Sequence, residues 1–298
     1  MTMTTNKTLI AIGGPTAIGK TAFAIKLAQQ LGCEIISCDS RQFFREMTIG
    51  TAVPSAEELS AVKHHFIQHI SIFDDYSVGD FEKDAIAKLD ELFSECDYAI
   101  LTGGSGLYFN AVINGMDEFP DVAKEAREQI AALYESDGLE GLQRELERLD
   151  PDYYSTVDTM NPQRMMRALE VCVSSGLPYS SFRSGAAKTR NFNVIKFALD
   201  APREVIYDRV NKRVDLMIDA GLVQEARELF PYRHLNALQT VGYKELFDHF
   251  EGKCSLEFAI SEIKKNTRRF AKRQLTWFRR DTEIRWVDYL SDPTELRW

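Results

Sequence analysis

One glycine-rich segment constrains the fold of this 298-residue chain more than any other. Gly14, Gly19, Lys20 and Thr21 match the pattern G-x-x-x-x-G-K-[ST], and a chance match in a chain of this length is on the order of 1%. The apolar residues 8–12 before it predict a buried strand, and the apolar spacing over residues 19–31 after it predicts a helix. A strand, a tight loop and a helix in this order are typical of a phosphate-binding loop.

Each part of this loop has a physical use. Glycines let backbone N–H groups turn inward, the helix N-terminus adds positive potential, and Lys20 supplies a point charge. The Thr21 hydroxyl is suited to bind Mg²⁺, which we expect as the cofactor. The residues predicted to bind the phosphates are Gly14, Pro15, Thr16, Ala17, Ile18, Gly19, Lys20 and Thr21. The loop alone does not name the reaction, since ATPases, small-molecule kinases and other diphosphate-binding enzymes all fit it.

The remainder of the chain predicts an α/β fold with an insertion. Strands over residues 34–38 and 98–102 alternate with a helix over residues 81–93, which indicates a P-loop-containing, doubly wound parallel sheet. The core comprises residues 1–115 and 186–298, including a fourth strand at 194–199. Residues 116–185 read as an all-helical insertion subdomain with helices over 123–134, 139–149 and 162–174. The predicted helices of the last third cover residues 203–220, 223–230, 243–250 and 256–278.

Two further predicted strands are followed by polar groups. Asp39 comes directly after the second strand, and Ser105 follows Gly103-Gly104 after the third. Residues just past the carboxyl ends of parallel strands line the ligand crevice of such a sheet. Asp39 then serves as a general base, a magnesium ligand or the cap of the next helix. The segment around Ser105 either binds an anion or forms a plain tight turn.

Charge along the chain is uneven. The net charge is −9, which argues against a nucleic-acid partner. Residues 263–280, however, hold eight cations and no acid, so subtracting that +8 leaves −17 elsewhere. The aromatic residues Phe270, Trp277 and Phe278 lie within this run and favour a nucleic-acid surface over a merely solvated helix face. The five scattered cysteines predict neither a disulfide framework nor a zinc site.

No apolar run approaches the roughly 18 residues needed to span a membrane, and no secretory signal is evident. We therefore expect a cytoplasmic protein that binds no membrane, and we expect it to be a monomer.

Taken together, the motifs resemble those of the bacterial tRNA dimethylallyltransferases, also called tRNA isopentenyltransferases or IPP transferases. The likeness covers nearly the whole chain, and the order and spacing of the motifs carry it. The matching segments are residues 14–21, 39–42, 49–54, 76–81, 103–108, 161–171, 217–222, 241–245 and 271–278. Phe44 stands where the family commonly has Tyr, and Val53 stands where it commonly has Lys.

The resemblance implies transfer of the dimethylallyl group of dimethylallyl diphosphate to N6 of adenosine 37 in tRNAs that read codons starting with U. Asp39 would be the general base, Lys20 would hold the diphosphate, and Ser105, where the family usually has Thr, would lie near the transferring group. Arg203 would be a basic residue on the diphosphate side. The insertion would contact the tRNA anticodon stem-loop. The implied tRNA-binding residues are Asp39, Ser40, Arg41, Gln42, Ser105, Arg127, Gln163, Arg164, Met165, Met166 and Arg167.

Three other functions use some of the same residues. A small-molecule kinase would use ATP on the same loop but would not need a helical insertion with a basic terminal helix. A prenyltransferase acting on free AMP or ATP would share the loop and Asp39 without needing residues 163–167. A non-catalytic tRNA-binding module would need neither the phosphate loop nor Asp39.

Overall fold

The sheet of this protein has six parallel strands in the order β3-β2-β4-β1-β5-β6. It is seen in a computed structural model, which describes residues 6–297. The strands are β1 (Thr8–Gly13), β2 (Ile35–Ser37), β3 (His64–His65), β4 (Tyr98–Thr102), β5 (Asn193–Asp200) and β6 (Arg285–Asp288).

Eleven α-helices accompany the strands within the described residues. They are α1 (Lys20–Leu31), α2 (Ala56–Ala61), α3 (Val78–Glu95), α4 (Gly106–Asn114), α5 (Lys124–Leu149), α6 (Pro151–Tyr154), α7 (Pro162–Ser175), α8 (Arg203–Asp219), α9 (Leu222–Leu229), α10 (Tyr243–Phe250) and α11 (Leu256–Phe278).

Apolar side chains cover both faces of the sheet. Leu9 and Ala11 of β1 belong to one buried cluster, and Ile10 and Ile12 belong to another. Successive side chains of a strand point to opposite faces, so these clusters lie on the two sides of the sheet. A strand buried on both faces has a continuous apolar sequence, as β1 does. The predicted doubly wound α/β sheet is confirmed.

The sequence prediction missed two edge strands and divided one helical element into two helices. β3 has only two residues, and β6 is largely exposed, so neither has the apolar run that marks a buried strand. The helices predicted over residues 123–134 and 139–149 form one element interrupted at Gly138, which has φ 61° and ψ −151°. Helices α2, α4 and α6 were also not predicted.

The chain forms two compact units. One contains the sheet and consists of the residues up to Asn114 and those from Thr189 onward. The other is Gly115–Lys188, and the predicted insertion, residues 116–185, falls inside it. Its elements are α5, α6, α7 and a short 3₁₀ turn, Tyr179–Phe182, packed around a core of their own.

A third cluster of the sheet-containing unit joins its C-terminal helices to the segment after β2. Tyr243 of α10, Leu222 of α9 and Ile263 of α11 pack with Phe44 and Met47. This packing places α8–α11 beside the carboxyl ends of the strands. Among residues 6–297, no helix combines the length and hydropathy that crossing a membrane requires.

Candidate active site

A pocket of about 840 Å³ lies in the sheet-containing unit, where the loops after β1, β2 and β4 meet. The phosphate loop contributes Thr16, and the loop after β2 contributes Asp39. Ser105 comes from the loop after β4, and Arg213 and Gln274 come from α8 and α11. The size is that of a small-molecule site. The structure thus brings together residues that the sequence placed after three separate strands.

The phosphate loop has the backbone shape that its glycines permit. Gly14 has φ +131°, and a Cβ atom there would lie 2.9 Å from the Leu199 carbonyl oxygen. Ala17 adopts the left-handed conformation with φ 65°. Lys20 is the first residue of α1, and its Nζ donates to the Pro15 carbonyl oxygen at 2.8 Å. The lysine side chain therefore folds back over the loop that a phosphate would occupy.

Lys20 and Asp39 perturb one another electrostatically. Burial lowers the pKa of Lys20 to about 8, and the nearby Asp39 carboxylate partly opposes this decrease. Burial raises the pKa of Asp39, while the Arg41 backbone N–H, which donates to its Oδ1 at 3.2 Å, and Lys20 pull that pKa down. A carboxylate made more basic by burial is suited to accept a proton. Burial also raises the pKa of the neighbouring Cys38 thiol, which disfavours its thiolate form.

Ser105 connects the loop after β4 to the loop after β2. Its Oγ accepts a hydrogen bond from the Ser40 backbone N–H at 3.1 Å, and the two hydroxyl oxygens also lie 3.1 Å apart. This contact fixes the loop that carries Asp39. Ser105 lines the pocket, and its expected place near the transferring group stays a prediction.

Two arginines of α8 contact the phosphate loop, and neither was singled out from the sequence. Arg209 Nε donates to the Ala17 carbonyl oxygen at 2.8 Å, and Arg213 Nη1 donates to Thr16 Oγ1 at 3.3 Å. Their spacing of four residues puts both on one face of the helix. Arg203, the predicted diphosphate residue, does not line the pocket and lies over the Tyr207 ring. Lys20, Arg209 and Arg213 are thus cations that bond to the loop, while the predicted diphosphate role of Arg203 stays a prediction.

Arg41 and Gln42 bond to the protein itself. Arg41 Nη1 donates to the carbonyl oxygens of Asn236 and Ala237 at 3.0 and 2.9 Å. Gln42 Nε2 donates to the carbonyl oxygens of Thr51 and Ala52 at 3.2 and 2.8 Å. These two side chains hold neighbouring loops in place, and their predicted contact with tRNA stays a prediction.

Glu225 holds the loop of residues 48–52 at Thr48, Ile49 and Gly50, next to the carbonyl groups that Gln42 contacts. No local sequence pattern marks this glutamate. Its carboxylate accepts hydrogen bonds from the backbone N–H groups of Thr48, Ile49 and Gly50 at 3.0, 2.7 and 2.9 Å. It also accepts one from the Tyr243 hydroxyl at 2.7 Å. Because one carboxylate accepts three hydrogen bonds from this loop and a fourth from Tyr243, the loop forms a fixed wall of the pocket.

In the helical unit, most of the predicted tRNA-binding side chains are accessible. Arg127 on α5, and Gln163, Arg164 and Arg167 at the start of α7, are exposed, and Met166 is half-buried. Asn161 caps α7 by accepting from the Arg164 backbone N–H at 3.2 Å.

Met165 is the exception, because its side chain is 0% exposed within the core of the helical unit. This side chain is therefore not accessible in this structure, and the predicted part of Met165 in tRNA binding stays a prediction. The physical reason is helical periodicity, since Met165, Ala168 and Leu169 lie on the inward face of α7.

The eight cations of residues 263–280 are not equivalent. Lys264 pairs with Asp215 at 2.5 Å, and Arg268 donates to Asn211 Oδ1 at 2.6 Å. Arg269, Lys272 and Arg280 are exposed. The first part of the basic run thus stabilises the fold, while the later part remains available to a ligand.

The polar residues offer few metal ligands. Within residues 6–297 no group of three or more His, Cys, Asp or Glu side chains is placed to hold a metal ion. Mg²⁺ commonly keeps several waters and binds through one or two protein groups and substrate phosphates. The partly exposed Thr21 hydroxyl, in the first turn of α1, fits that pattern.

The profile of a protein family described as IPP transferase matches residues 42–281. The tRNA dimethylallyltransferase of Christiangramia forsetii is 62% identical over 281 residues, which cover 94% of this chain and 93% of that protein. The tRNA dimethylallyltransferase of Flavobacterium johnsoniae is 57% identical over 296 residues, covering 97% and 96%.

Solved structures agree with these relatives. The tRNA isopentenylpyrophosphate transferase of Bacillus halodurans matches with a TM-score of 0.70 and 37% identity, covering 95% of this chain and 90% of that one. A eukaryotic dimethylallyltransferase acting on tRNA matches with a TM-score of 0.79 and 25% identity, covering 97% and 75%. On the phosphate loop, the site geometry and these matches, the chain belongs to the IPP transferase family.

Proposed function

We propose that this protein transfers the dimethylallyl group of dimethylallyl diphosphate to N6 of adenosine 37 in tRNAs reading codons that start with U. The observation that carries the proposal is the shared pocket of the phosphate loop and the buried Asp39, in a member of this family. The N6–C1 bond forms as the C1–O bond breaks. The electron pair of that bond leaves with diphosphate, and the N6 proton goes to Asp39.

The phosphate loop acts on the leaving group. Negative charge grows on the diphosphate oxygens as the allylic carbon departs, so preorganised cations and N–H groups stabilise this transition state by several kcal/mol. Lys20 and the loop backbone supply these groups, with Arg213 behind Thr16. Bound Mg²⁺, held by the Thr21 hydroxyl, would neutralise further charge on the same oxygens.

Asp39 acts on the nucleophile. The adenine amine is weakly nucleophilic because its lone pair is delocalised into the ring. A positioned base that takes its proton during attack contributes roughly 10²- to 10⁴-fold in rate. The raised pKa of Asp39 strengthens it as a base. The target base must leave its stack to reach the pocket, and a single-stranded anticodon loop lowers that cost.

The tRNA would be held by the helical unit and by the basic part of α11. The exposed Arg127, Gln163, Arg164 and Arg167 are suited to phosphate and base contacts. Ser40 and Ser105 lie in the pocket beside Asp39, where the flipped base would enter. The cytoplasmic location and the monomeric state remain predictions.

The lining of the pocket favours prenyl transfer over phosphoryl transfer. Beyond the polar residues, its walls include Val214, Met217, Leu222, Phe258 and Trp277. An apolar wall suits a branched hydrocarbon substituent, and transfer of a phosphoryl group does not require one.

The test is incubation of the protein with labelled dimethylallyl diphosphate and unmodified tRNA, with AMP and ATP as parallel acceptors. We expect label only in tRNA, at N6 of adenosine 37, with release of diphosphate. Label in AMP or ATP but not in tRNA would identify an adenylate prenyltransferase. ATP turnover without prenyl transfer would identify a kinase.

A further inference from the structure

Gln274 of α11 is one of the few buried polar residues of the chain, with 5% of its surface exposed. Its Oε1 accepts a hydrogen bond from the Thr16 backbone N–H at 2.8 Å, and its Nε2 donates to the Gly104 carbonyl oxygen at 2.9 Å. A backbone N–H can only donate and a carbonyl can only accept, so the two partners determine which way the amide points.

These two bonds join loops with different chemical tasks. Thr16 belongs to the phosphate loop, which acts on the leaving group. Gly104 precedes Ser105, whose hydroxyl accepts from the Ser40 N–H at 3.1 Å, next to Asp39. A single side chain therefore connects the loop that holds the diphosphate to the loops that hold the base.

The helix that carries Gln274 lies against both loops without intervening space. A Cβ atom at Gly104 would clash with the Gln274 amide nitrogen, and one at Gly106 would clash with the Trp277 ring. A Cβ atom at Gly13 would lie 2.6 Å from the Phe278 ring. The inner face of α11 thus sets the positions of the loops after β1 and β4.

We propose that Gln274 is a positioning residue for the transfer reaction, setting the distance between the phosphate loop and the loops around Asp39. Gln274 also accepts the hydrogen bond of the Thr16 backbone N–H, so that N–H points to the protein and not to the diphosphate. The inference rests on the proposed prenyl transfer. Reacting groups must be held close to their productive geometry. A displacement of about 1 Å between the phosphate loop and the loops around Asp39 therefore lowers the rate by on the order of 10²-fold.

The first test compares Gln274→Met with Gln274→Glu in the full-length protein. The Met variant keeps the side-chain length but loses both hydrogen bonds. The Glu variant still accepts from Thr16 but turns an oxygen toward the Gly104 carbonyl. For both, we expect kcat to fall by at least about 10-fold while KM for dimethylallyl diphosphate stays within about threefold. Gln29→Glu, at an exposed glutamine of α1, is the matched control and should leave both constants unchanged.

The second test is a double-mutant cycle, which uses different variants from the first test. Gly104→Ala should displace the amide and lower kcat by about 10-fold on its own. In the Gln274→Ala background, Gly104→Ala should lower kcat little further, because the long side chain that the new methyl group would displace is absent.

The outcomes separate this inference from the function on which it rests. If wild-type protein transfers no label to tRNA, the proposed function fails. If wild-type protein is active, a kcat within twofold of wild type for folded Gln274→Met, or a rise in KM alone, overturns the positioning role. Fully additive effects of Gly104→Ala and Gln274→Ala overturn it as well.

Discussion

Polar side chains in the sheet-containing unit and in the helical unit are used in opposite ways. Around the pocket, Gln42, Glu225 and Gln274 are bonded to backbone groups of neighbouring loops. At the start of α7, Arg164 and Arg167 are exposed. The pocket uses these polar side chains to hold its own geometry, whereas the start of α7 presents its arginines to solvent.

This difference predicts a division between catalysis and affinity. A group that sets the geometry of reacting atoms changes kcat when it is removed, and a group that contacts phosphates changes affinity and its salt dependence. Variants of these two kinds of residue should therefore fall into two kinetic classes. The predictions below test that division, beginning with the largest effect.

Asp39→Asn should have the largest effect, because the amide keeps the size of the side chain but cannot take the N6 proton. We expect kcat to fall by about 10²- to 10⁴-fold with tRNA affinity within about threefold. Single-turnover rates at saturating tRNA measure this, with Asp75→Asn at an exposed position as the control. In the wild type, the raised pKa of Asp39 means that acid inactivation should begin at a higher pH than for an ordinary carboxyl group. Near-normal turnover of Asp39→Asn would remove Asp39 as the base.

Lys20 should link diphosphate affinity to pH. Its pKa of about 8 means that the free protein carries this charge below pH 8 and loses it as the pH rises further. Affinity for dimethylallyl diphosphate should therefore weaken between pH 7 and 9.5. Lys20→Met should weaken binding at pH 7 by at least about 10-fold and remove most of this dependence. Calorimetric titration measures both, and Lys83→Met, an exposed lysine on α3, serves as the control. A flat pH profile in the wild type would contradict the prediction.

The double substitution of Arg164 and Arg167 by Gln tests the helical unit. We expect KM for tRNA to rise by about 10-fold because two phosphate contacts are lost, with kcat within about twofold of wild type. Arg148→Gln on α5 is the control, since that arginine is already paired with Glu145 at 2.6 Å. A loss of kcat without a change in KM would break the proposed division between the two units.

The smallest effect is expected from the exposed cations of α11. Replacing Arg269, Lys272 and Arg280 by Gln should reduce the slope of log affinity against log salt by about one for each phosphate contact removed. Filter binding of tRNA over a salt series measures the slope. Lys264→Gln removes the same charge from a lysine that Asp215 already neutralises, so its slope should stay near that of the wild type. If the triple variant keeps the wild-type slope, these cations are only a solvated face.

The parts of the site that could be predicted are those written in contiguous residues. The phosphate loop needs a strand, glycines and a helix start, all of which lie within residues 8–21. Asp39 and Ser105 were found because parallel strands end at one edge of the sheet. The burial of Met165 also follows from local spacing, since Met165, Ala168, Leu169 and Cys172 mark the inner face of a helix.

The parts that could not be predicted are contacts between distant segments. Gln274 is 258 residues from Thr16, and Arg209 is 192 residues from Ala17. Glu225 reaches Gly50 across 175 residues. When a glutamine, an arginine or a glutamate lies on an amphipathic helix, no local sequence pattern predicts which residue it will contact.

By itself, the sequence determined the parallel α/β class, the phosphate loop and the position of Asp39 at the end of a strand. These follow from local periodicity and from the backbone freedom of glycine. Only the tertiary structure decided that Arg209 and Arg213 bond to the loop, and that Gln274 joins the loops after β1 and β4. The physical reason is that packing of the C-terminal helices against the sheet sets these distances, and packing depends on the whole buried core rather than on neighbours along the chain.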